Sequence, residues 1–486
     1  WARTFGKHDL SAMFLFQQSQ KNYVGESANN SEKALPYRHQ GIAGRITYNY
    51  DNRYFVEGNF GYNGSENFSP NHRFGFFPSI AVGYVVSNEK FFAPIRDVVS
   101  MVKLKASYGL VGNDQIGGDR RFIYNETVIG GGKYYFGTTP SQYTSVRLGE
   151  FPNPNVGWEK AKKLNLGADL SFFNQLNISV DYFKENREGI FLQRKSIPMY
   201  VGLSTKPWVN IGKMRNSGID ASLEYHQPLG KDLHLTVRGN FTYARNRIMD
   251  QDEPDYAYTY MNHSGQMQWQ KFGLVAAGLF QDQEDIDSWA KQSFGEVKPG
   301  DIKYLDLNGD GIVDNYDTKP IGYSDIPEIV YGFGFSLQWK AFDLSAFFQG
   351  VAHVSFSTLT DQTQAFVGRN LKESSVFADL YGNTWTPENP GAKYPRMTTG
   401  AIDNNNQLST FWMANGRYLR LKNLELGYTL PKRIANKIAM QSLRVYLSGV
   451  NLFTFSPFKL WDPDLQTGAT NYPNNRIINL GLTIGF

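Results

Sequence analysis

Again and again along this chain, apolar and polar residues alternate for about ten positions, longer than a strand of an ordinary soluble sandwich. Leu233, Leu235, Val237, Gly239, Phe241 and Tyr243 share one parity, and His234, Thr236, Arg238, Asn240 and Thr242 share the other. Leu164, Leu166, Ala168, Leu170 and Phe172 alternate with Asn165, Gly167, Asp169 and Ser171. Leu176, Ile178, Val180 and Tyr182 then oppose Asn177, Ser179 and Asp181, so the intervening 173–175 predicts a tight hairpin. Similar runs lie at 42–50, 54–62, 102–110, 219–225, 331–339 and 342–348. By the period-2 rule the chain holds about fourteen such segments, each a strand with one apolar face.

The connections fall into two sets that largely alternate. Very short turns lie near Asp51, Asn174, Gly230, Lys340 and Lys432, and long polar loops run at about 112–158, 187–213, 247–327, 355–415 and 455–475. The segment 88–100 is intermediate and belongs to the short-turn side, and 431–440 (PKRIANKIAM) predicts a short helical connection there. Short periplasmic turns and long extracellular loops are the mark of an outer-membrane barrel. A soluble sandwich of two-faced strands has no reason for the asymmetry. At the end of the chain Ile478, Leu480, Leu482, Ile484 and Phe486 alternate with Asn479, Gly481, Thr483 and Gly485, so the last strand stops on an aromatic.

With 486 residues the chain could hold several soluble domains or one large barrel. Aromatics at 15% and charged residues at 19% favour strands, turns and interfacial rings over helical bundles. No run of about 18 apolar residues occurs. The mean hydropathy of -0.43 excludes spanning helices and leaves a barrel open, because its strands alternate lipid-facing and lumen-facing residues. The absence of cysteine excludes disulfides, thiolate metal sites and a catalytic thiol. A net charge of +4 without a Lys/Arg-rich run gives no reason to expect nucleic acid. The chain opens at Trp1 with neither an initiator Met nor a signal segment, which predicts that something upstream is missing.

The sharpest local motif is DLNGDGIVDNYD at 306–317. Asp306, Asn308, Asp310 and Asp317 stand where a calcium loop of the EF-hand type places oxygen ligands. Gly311 allows the turn, Ile312 would give its carbonyl, and Asp314 fills the ninth position. Asp317 replaces the usual bidentate Glu and flanking helices are not evident, so an acidic turn held by its own Asx hydrogen bonds competes with calcium. The ion's role would be to stiffen a loop, since no His or activated nucleophile accompanies it.

Loop aromatics are the candidate ligand platforms: Tyr134, Tyr135, Trp158, Trp208, Trp269, Trp289, Trp385, Trp412 and Trp461. Flat rings stack on sugars or peptide side chains, and they serve equally in an interfacial girdle or in loop packing. Trp269 and Trp385, deep in long polar loops, are the best placed. Neither HExxH nor GxSxG occurs, so the chain does not read as an enzyme. GGGK at 130–133 lacks the spacing of a phosphate loop and reads as a flexible loop tip. Asp282, Glu284, Asp285 and Asp287 read as a solvated acidic loop.

Several stretches resemble the SusC/RagA-type TonB-dependent transporters: NPNVGWEKAKKLNLGADLSFF at 153–173, LKASYGLVGND at 104–114, GRYLRLKNLELGYTLP at 416–431, LRVYLSGVNLFTFS at 443–456 and the terminal Phe486. The resemblance implies a transmembrane antiparallel β-barrel of about twenty-two strands, of which residues 1–486 supply roughly the last fourteen. The first strands and an N-terminal plug would lie upstream. It further implies the bacterial outer membrane, a SusD-like surface lipoprotein as a lid, and a TonB complex engaged through the missing N-terminal part. The activity implied is TonB-dependent import of oligosaccharides (glycans) or peptides, without covalent chemistry. A passive outer-membrane porin and a soluble calcium-containing carbohydrate-binding protein are the competing readings. A porin needs no plug, and a soluble protein needs no detergent.

Overall fold

The computed structural model describes residues 1–23, 34–116, 120–203, 205–360, 363–364, 376–398, 400–438, 440–468 and 471–486. One sheet of fifteen strands dominates it. In chain order these are β1 (Ala2–Phe5), β2 (His8–Lys21), β3 (Tyr37–Tyr50), β4 (Tyr54–Ser65), β5 (Phe74–Val85), β6 (Val99–Asn113), β7 (Glu159–Phe172) and β8 (Leu176–Gln193). β9 (Trp208–Pro228), β10 (Leu233–Asp250), β11 (Ile329–Trp339), β12 (Phe342–Ala352), β13 (Tyr418–Thr429), β14 (Ser442–Phe455) and β15 (Ile477–Gly485) complete it. Sheet order follows chain order throughout. Apart from the four-residue β1, the strands match the fourteen segments expected from the alternation.

The short connections lie where the sequence places them, and their backbone shows why they are tight. Asp51 and Asn52 have φ of 52° and 53°, Phe173 and Asn174 have 53° and 55°, and Gly230 has 89°. Positive φ matches the right-handed twist of paired strands, and Asn, Asp and Gly reach it at least cost. The intermediate connection holds two 3₁₀ turns, Val86–Asn88 and Lys90–Ile95, and Lys432–Ala435 is the predicted short helix. Two expectations need correction. The loop expected at 187–213 is shorter, because β8 runs on to Gln193 and β9 begins at Trp208. GGGK is no loop tip: it lies inside a strand, Val128–Phe136, where the register against Ser141–Leu148 shifts between Gly130 and Lys133.

Parity sorts the side chains as the alternation requires. Phe14, Phe16, Ile46, Tyr62, Phe76, Ile80 and Val82 lie exposed on one face of β2–β5, and Leu447, Leu480 and Leu482 do so on β14 and β15. Burying apolar surface is worth about 25 cal/mol per Å², so rows like these call for an apolar solvent. At the turn end, ring centroids of His8 and Tyr50 lie 4.9 Å apart, those of Tyr50 and Tyr54 6.5 Å and those of Tyr54 and Tyr84 5.1 Å, forming an aromatic edge. The other face carries ion pairs: Lys105 Nζ lies 2.9 Å from Asp169 and 3.1 Å from Asp181.

Two compact units share the chain. The first comprises Trp1–Ile219 and Asn246–Asp255, the second Asp220–Arg245 and Tyr256–Phe486. Each has loops packed on a small hydrophobic core of its own. In the first, Phe68, Ile116, Ile123, Val156 and Phe191 are buried with Trp158 and Trp208 against them. In the second, Leu274, Ile302, Tyr304, Val313, Leu380, Trp385, Tyr394 and Trp412 form a larger cluster within the loops that follow β10 and β12.

Candidate functional site

The loops after β10 and β12 are folded rather than strung out. Short strands pair within them: Lys271–Gly273 with Lys319–Ile321, Ala276–Leu279 with Ile302–Tyr304, and Ser355–Ser357 with Met413–Asn415. Asp301, fully buried, is the hub that ties the two loops together. It accepts from the Lys298 amide at 2.8 Å, from Arg396 Nη2 at 3.0 Å and from Asn405 Nδ2 at 2.9 Å. Asn405 Oδ1 in turn accepts the Ile302 amide at 2.8 Å, and Tyr304 donates its hydroxyl to the Asn404 carbonyl at 2.9 Å. Burial pushes the Tyr304 phenol well above its ordinary range, so it stays a donor. No pattern in the sequence singles out Asp301. A lone Asp inside a polar loop becomes a hub only through partners about a hundred residues away in the chain, at Arg396 and Asn405.

The acidic motif closes on itself. Asp306 accepts the Gly309 amide at 2.7 Å and the Gly311 amide at 2.8 Å, Asn308 Oδ1 accepts that of Asp310, and Asp310 that of Ile312, both at 2.9 Å. Asp314 accepts the Tyr316 amide at 2.7 Å. Asp317, fully buried, takes the amides of Leu307 at 2.7 Å and Asp314 at 2.8 Å. These are the Asx bonds of a self-supporting turn. Among the described residues no group of three or more His, Asp or Glu side chains converges as a metal cage. The neighbouring acids are also engaged: Asp282 caps the helix Gln283–Asp287, and Asp285 pairs with Lys303 at 2.7 Å. Burial disfavours the Asp285 charge, and Lys303 with the Gln281 amide outweighs it, leaving its pKa below the ordinary carboxylate value.

The named aromatics divide. Trp385 is 9% exposed and sits in the loop core, so the structure gives it packing work and takes it off the ligand-facing surface. Trp412 is buried beside it and donates Nε1 to the Asn405 carbonyl at 2.8 Å. Trp158 packs on Phe68 and Phe77, and its neighbour Glu159, also buried, accepts from the Phe191 amide at 3.1 Å. Trp208 stacks on Phe191 with centroids 5.1 Å apart. Trp269 is different: 59% exposed, with φ of 59°, it is held out in a backbone region that bulky residues seldom adopt. Tyr134 and Tyr135 are exposed on the hairpin Val128–Phe136/Ser141–Leu148, which lies in the first unit, whereas Trp269, Trp385 and the acidic motif belong to the second.

One cluster of rings was missed in the sequence. Tyr258 and Tyr260 stack at 5.4 Å with planes 5° apart, Tyr316 stands edge-on to Tyr258 at 6.2 Å, and Tyr260 donates to the Tyr316 carbonyl at 2.6 Å. Burial first, then the carboxylates of Asp317, Asp306 and Asp310, raise the Tyr260 pKa. The Tyr-x-Tyr-x-Tyr spacing at 256–260 was the available signal.

Residues 1–452 match the family model described as TonB dependent receptor-like, beta-barrel. The chain belongs to this family. It is a membrane-spanning antiparallel β-barrel protein of the bacterial outer membrane, with short periplasmic turns and long extracellular loops. It is 30% identical to TonB-dependent receptor P3 of Formosa agariphila over 92% of this chain and 45% of that protein. It is 27% identical to TonB-dependent receptor SusC of Bacteroides thetaiotaomicron over 91% of this chain and 43% of that protein. The RagAB peptide transporter superposes with a TM-score of 0.76 at 21% identity, over 100% of this chain and 54% of that one, which shows the fold. The chain thus spans about half the length of the relatives it matches. This TonB dependent receptor-like barrel devotes its largest loops, after β10 and β12, to a folded extracellular layer.

Proposed function

We propose that the full-length protein imports oligosaccharides or peptides across the outer membrane in a TonB-dependent way, beneath a SusD-like surface lipoprotein. The observation that carries this reading is the family membership together with the likeness to SusC and to the RagAB peptide transporter. The loop layer supports it. A passive pore gains little from an extracellular layer with its own buried core, whereas a receptor that must hold cargo needs a rigid frame for its contact residues. Trp269 and the stacked pair Tyr258 and Tyr260 are the rings we assign to cargo, since flat faces stack on sugars or peptide side chains.

The test is uptake by cells expressing the full-length gene, with and without TonB and with the proton gradient collapsed. Energy-coupled import stops in both deprived conditions. Uptake that persists without TonB would establish the passive porin instead. Co-purification with a lipoprotein encoded beside the gene checks the lid, and its absence from a mild-detergent extract counts against that partner.

A further inference from the structure

In the first unit, the outward face of the β7–β8 hairpin changes chemistry at a single level. Away from the tight turn its paired rows run Phe172–Leu176, Leu170–Ile178, Ala168–Val180 and Leu166–Tyr182, all apolar or aromatic. Leu164 then faces Lys184, Lys162 faces Asn186, and Lys160 faces Glu188. On β6, Leu104 and Tyr108 continue the apolar face opposite Ala168 and Leu164. From Phe172 to Leu164 the strand advances about 27 Å, and a tilt of 35–45° leaves about 20 Å of membrane depth. The Lys162–Asn186 row lies about 25 Å up, the height of the apolar band of such barrels. These side chains therefore stand where hydrocarbon gives way to headgroups on the extracellular side.

Cations outnumber carboxylates there. Lys162 donates Nζ to both oxygens of Glu188, at 3.1 and 2.9 Å. Arg215 of β9 donates Nε to Asn186 Oδ1 at 3.2 Å, which fixes it on the same face, and Lys213 beyond it lies 3.8 Å from Asp250. Among the described residues Lys160, Lys184 and Arg215 have no ion pair. On the inner face of the same strands the cations are matched: Lys163 and Arg187 lie 3.1 and 2.9 Å from Glu185. Like charges side by side on one face of a sheet repel, so the outward cluster carries a cost that an anion from outside offsets. A lysine at this level rests its stem on apolar surface and lifts its ammonium to the headgroups, and guanidinium matches phosphate geometry.

We propose that Lys184 and Arg215, with Lys160 and Lys162 beside them, hold the phosphate of an outer-leaflet glycolipid whose acyl chains lie along Leu164, Leu166 and Tyr182. The position decides the source of the phosphate. A soluble anion has no use for the apolar rows beneath the cations, while a lipid uses both.

The experiment offers the full-length protein, delipidated in mild detergent, an equimolar mixture of monophosphoryl lipid A and its dephosphorylated form, and counts the bound lipids by mass spectrometry. The phosphorylated lipid is expected in about tenfold excess, the order for two or three cations near an anionic surface. Lys184→Gln/Arg215→Gln should lose that preference while keeping heat-modifiable mobility on gels, and the inner-face variant Lys163→Gln/Arg187→Gln should retain it. Equal binding of the two lipids by the unaltered protein overturns the proposal without recourse to any variant and leaves the cations as plain interfacial anchors. Equal loss of preference in both double variants overturns the location. Displacement of the lipid by free glucosamine 1-phosphate at equal concentration overturns the lipid source.

Discussion

Asp317 shows how one side chain decides a loop. Its carboxylate accepts three amides, those of Leu307, Asn308 and Asp314, and Asp317→Ala leaves these donors without acceptors in a buried place. A loss of about 2–4 kcal/mol of local stability is expected, seen as proteolytic cleavage within 306–317 while the barrel still resists heat and detergent. Undiminished protease resistance would mean the turn stands without it. A calcium ion at this motif is a proposal resting on ligand types and spacing, and it must compete with amides that already occupy Asp306, Asp310 and Asp314. Affinity in the range of about 0.1–1 mM follows, checked by calorimetry on chelator-treated protein. No heat signal at millimolar calcium removes the ion from the account. Asp252 offers a pH test. Burial works against its charge, and the amides of Ser196 and Lys195, the Ser196 hydroxyl and Arg194 more than compensate, holding its pKa below the ordinary value. A carboxylate depressed in the folded state contributes stability that is complete above its unfolded pKa of about 3.9 and is lost as pH falls through the lower folded value. Exchange of the Lys195 and Ser196 amides, corrected for intrinsic rate, should therefore accelerate below about pH 4, and Asp252→Asn should abolish that dependence.

At the scale of strands, two glycines make room for charges that reach over a whole strand. A Cβ on Gly167 of β7 would strike the Asp181 carboxylate of β8 and the Lys105 stem of β6. On Gly427 of β13 it would strike Asp343 of β12 and Arg444 of β14, which are paired at 2.5 Å. Gly167→Ala and Gly427→Ala should each cost about 1 kcal/mol in urea unfolding, because these pairs are half exposed and screened. Gly58→Ala, with open space around it, should be neutral. Equal effects at all three positions would show that the glycines matter only for backbone entropy. Such bridges illustrate what the sequence could not tell. Alternation revealed each strand, its parity and the turn side, because period 2 is a local property of the backbone. The partner of Gly167 across two strands depends on register, and the loop core around Ile302, Tyr304 and Trp385 depends on contacts between segments with no common period. Trp385 looked like a ligand ring for that reason: its polar neighbours in sequence concealed apolar neighbours in space. Tyr258 and Tyr260 were overlooked because a spacing of two in a polar loop does not say whether the rings stack, which the surrounding fold decides.

For the molecule as a whole, the bilayer is the missing solvent, and its effect can be measured one face at a time. Ile80 and Ala81 are adjacent on β5, yet Ile80 lies in the outward row Ile46–Gly58–Ile80, while Ala81 pairs with Glu57 and Ser107 on the opposite, polar side. A long cation at mid-depth on a lipid face costs about 2–4 kcal/mol, and the same residue pointing into a polar lumen costs little. Ile80→Arg should therefore lower the yield of heat-modifiable, protease-resistant protein in outer membranes, whereas Ala81→Arg should assemble like the parent. The contrast isolates the solvent, because the two positions share a strand, a depth and a folding history. In a water-soluble sheet the order would reverse, since Ile80 is 54% exposed and would welcome a charge there. Tolerance of Ile80→Arg together with failure of Ala81→Arg would thus refute the assignment of faces.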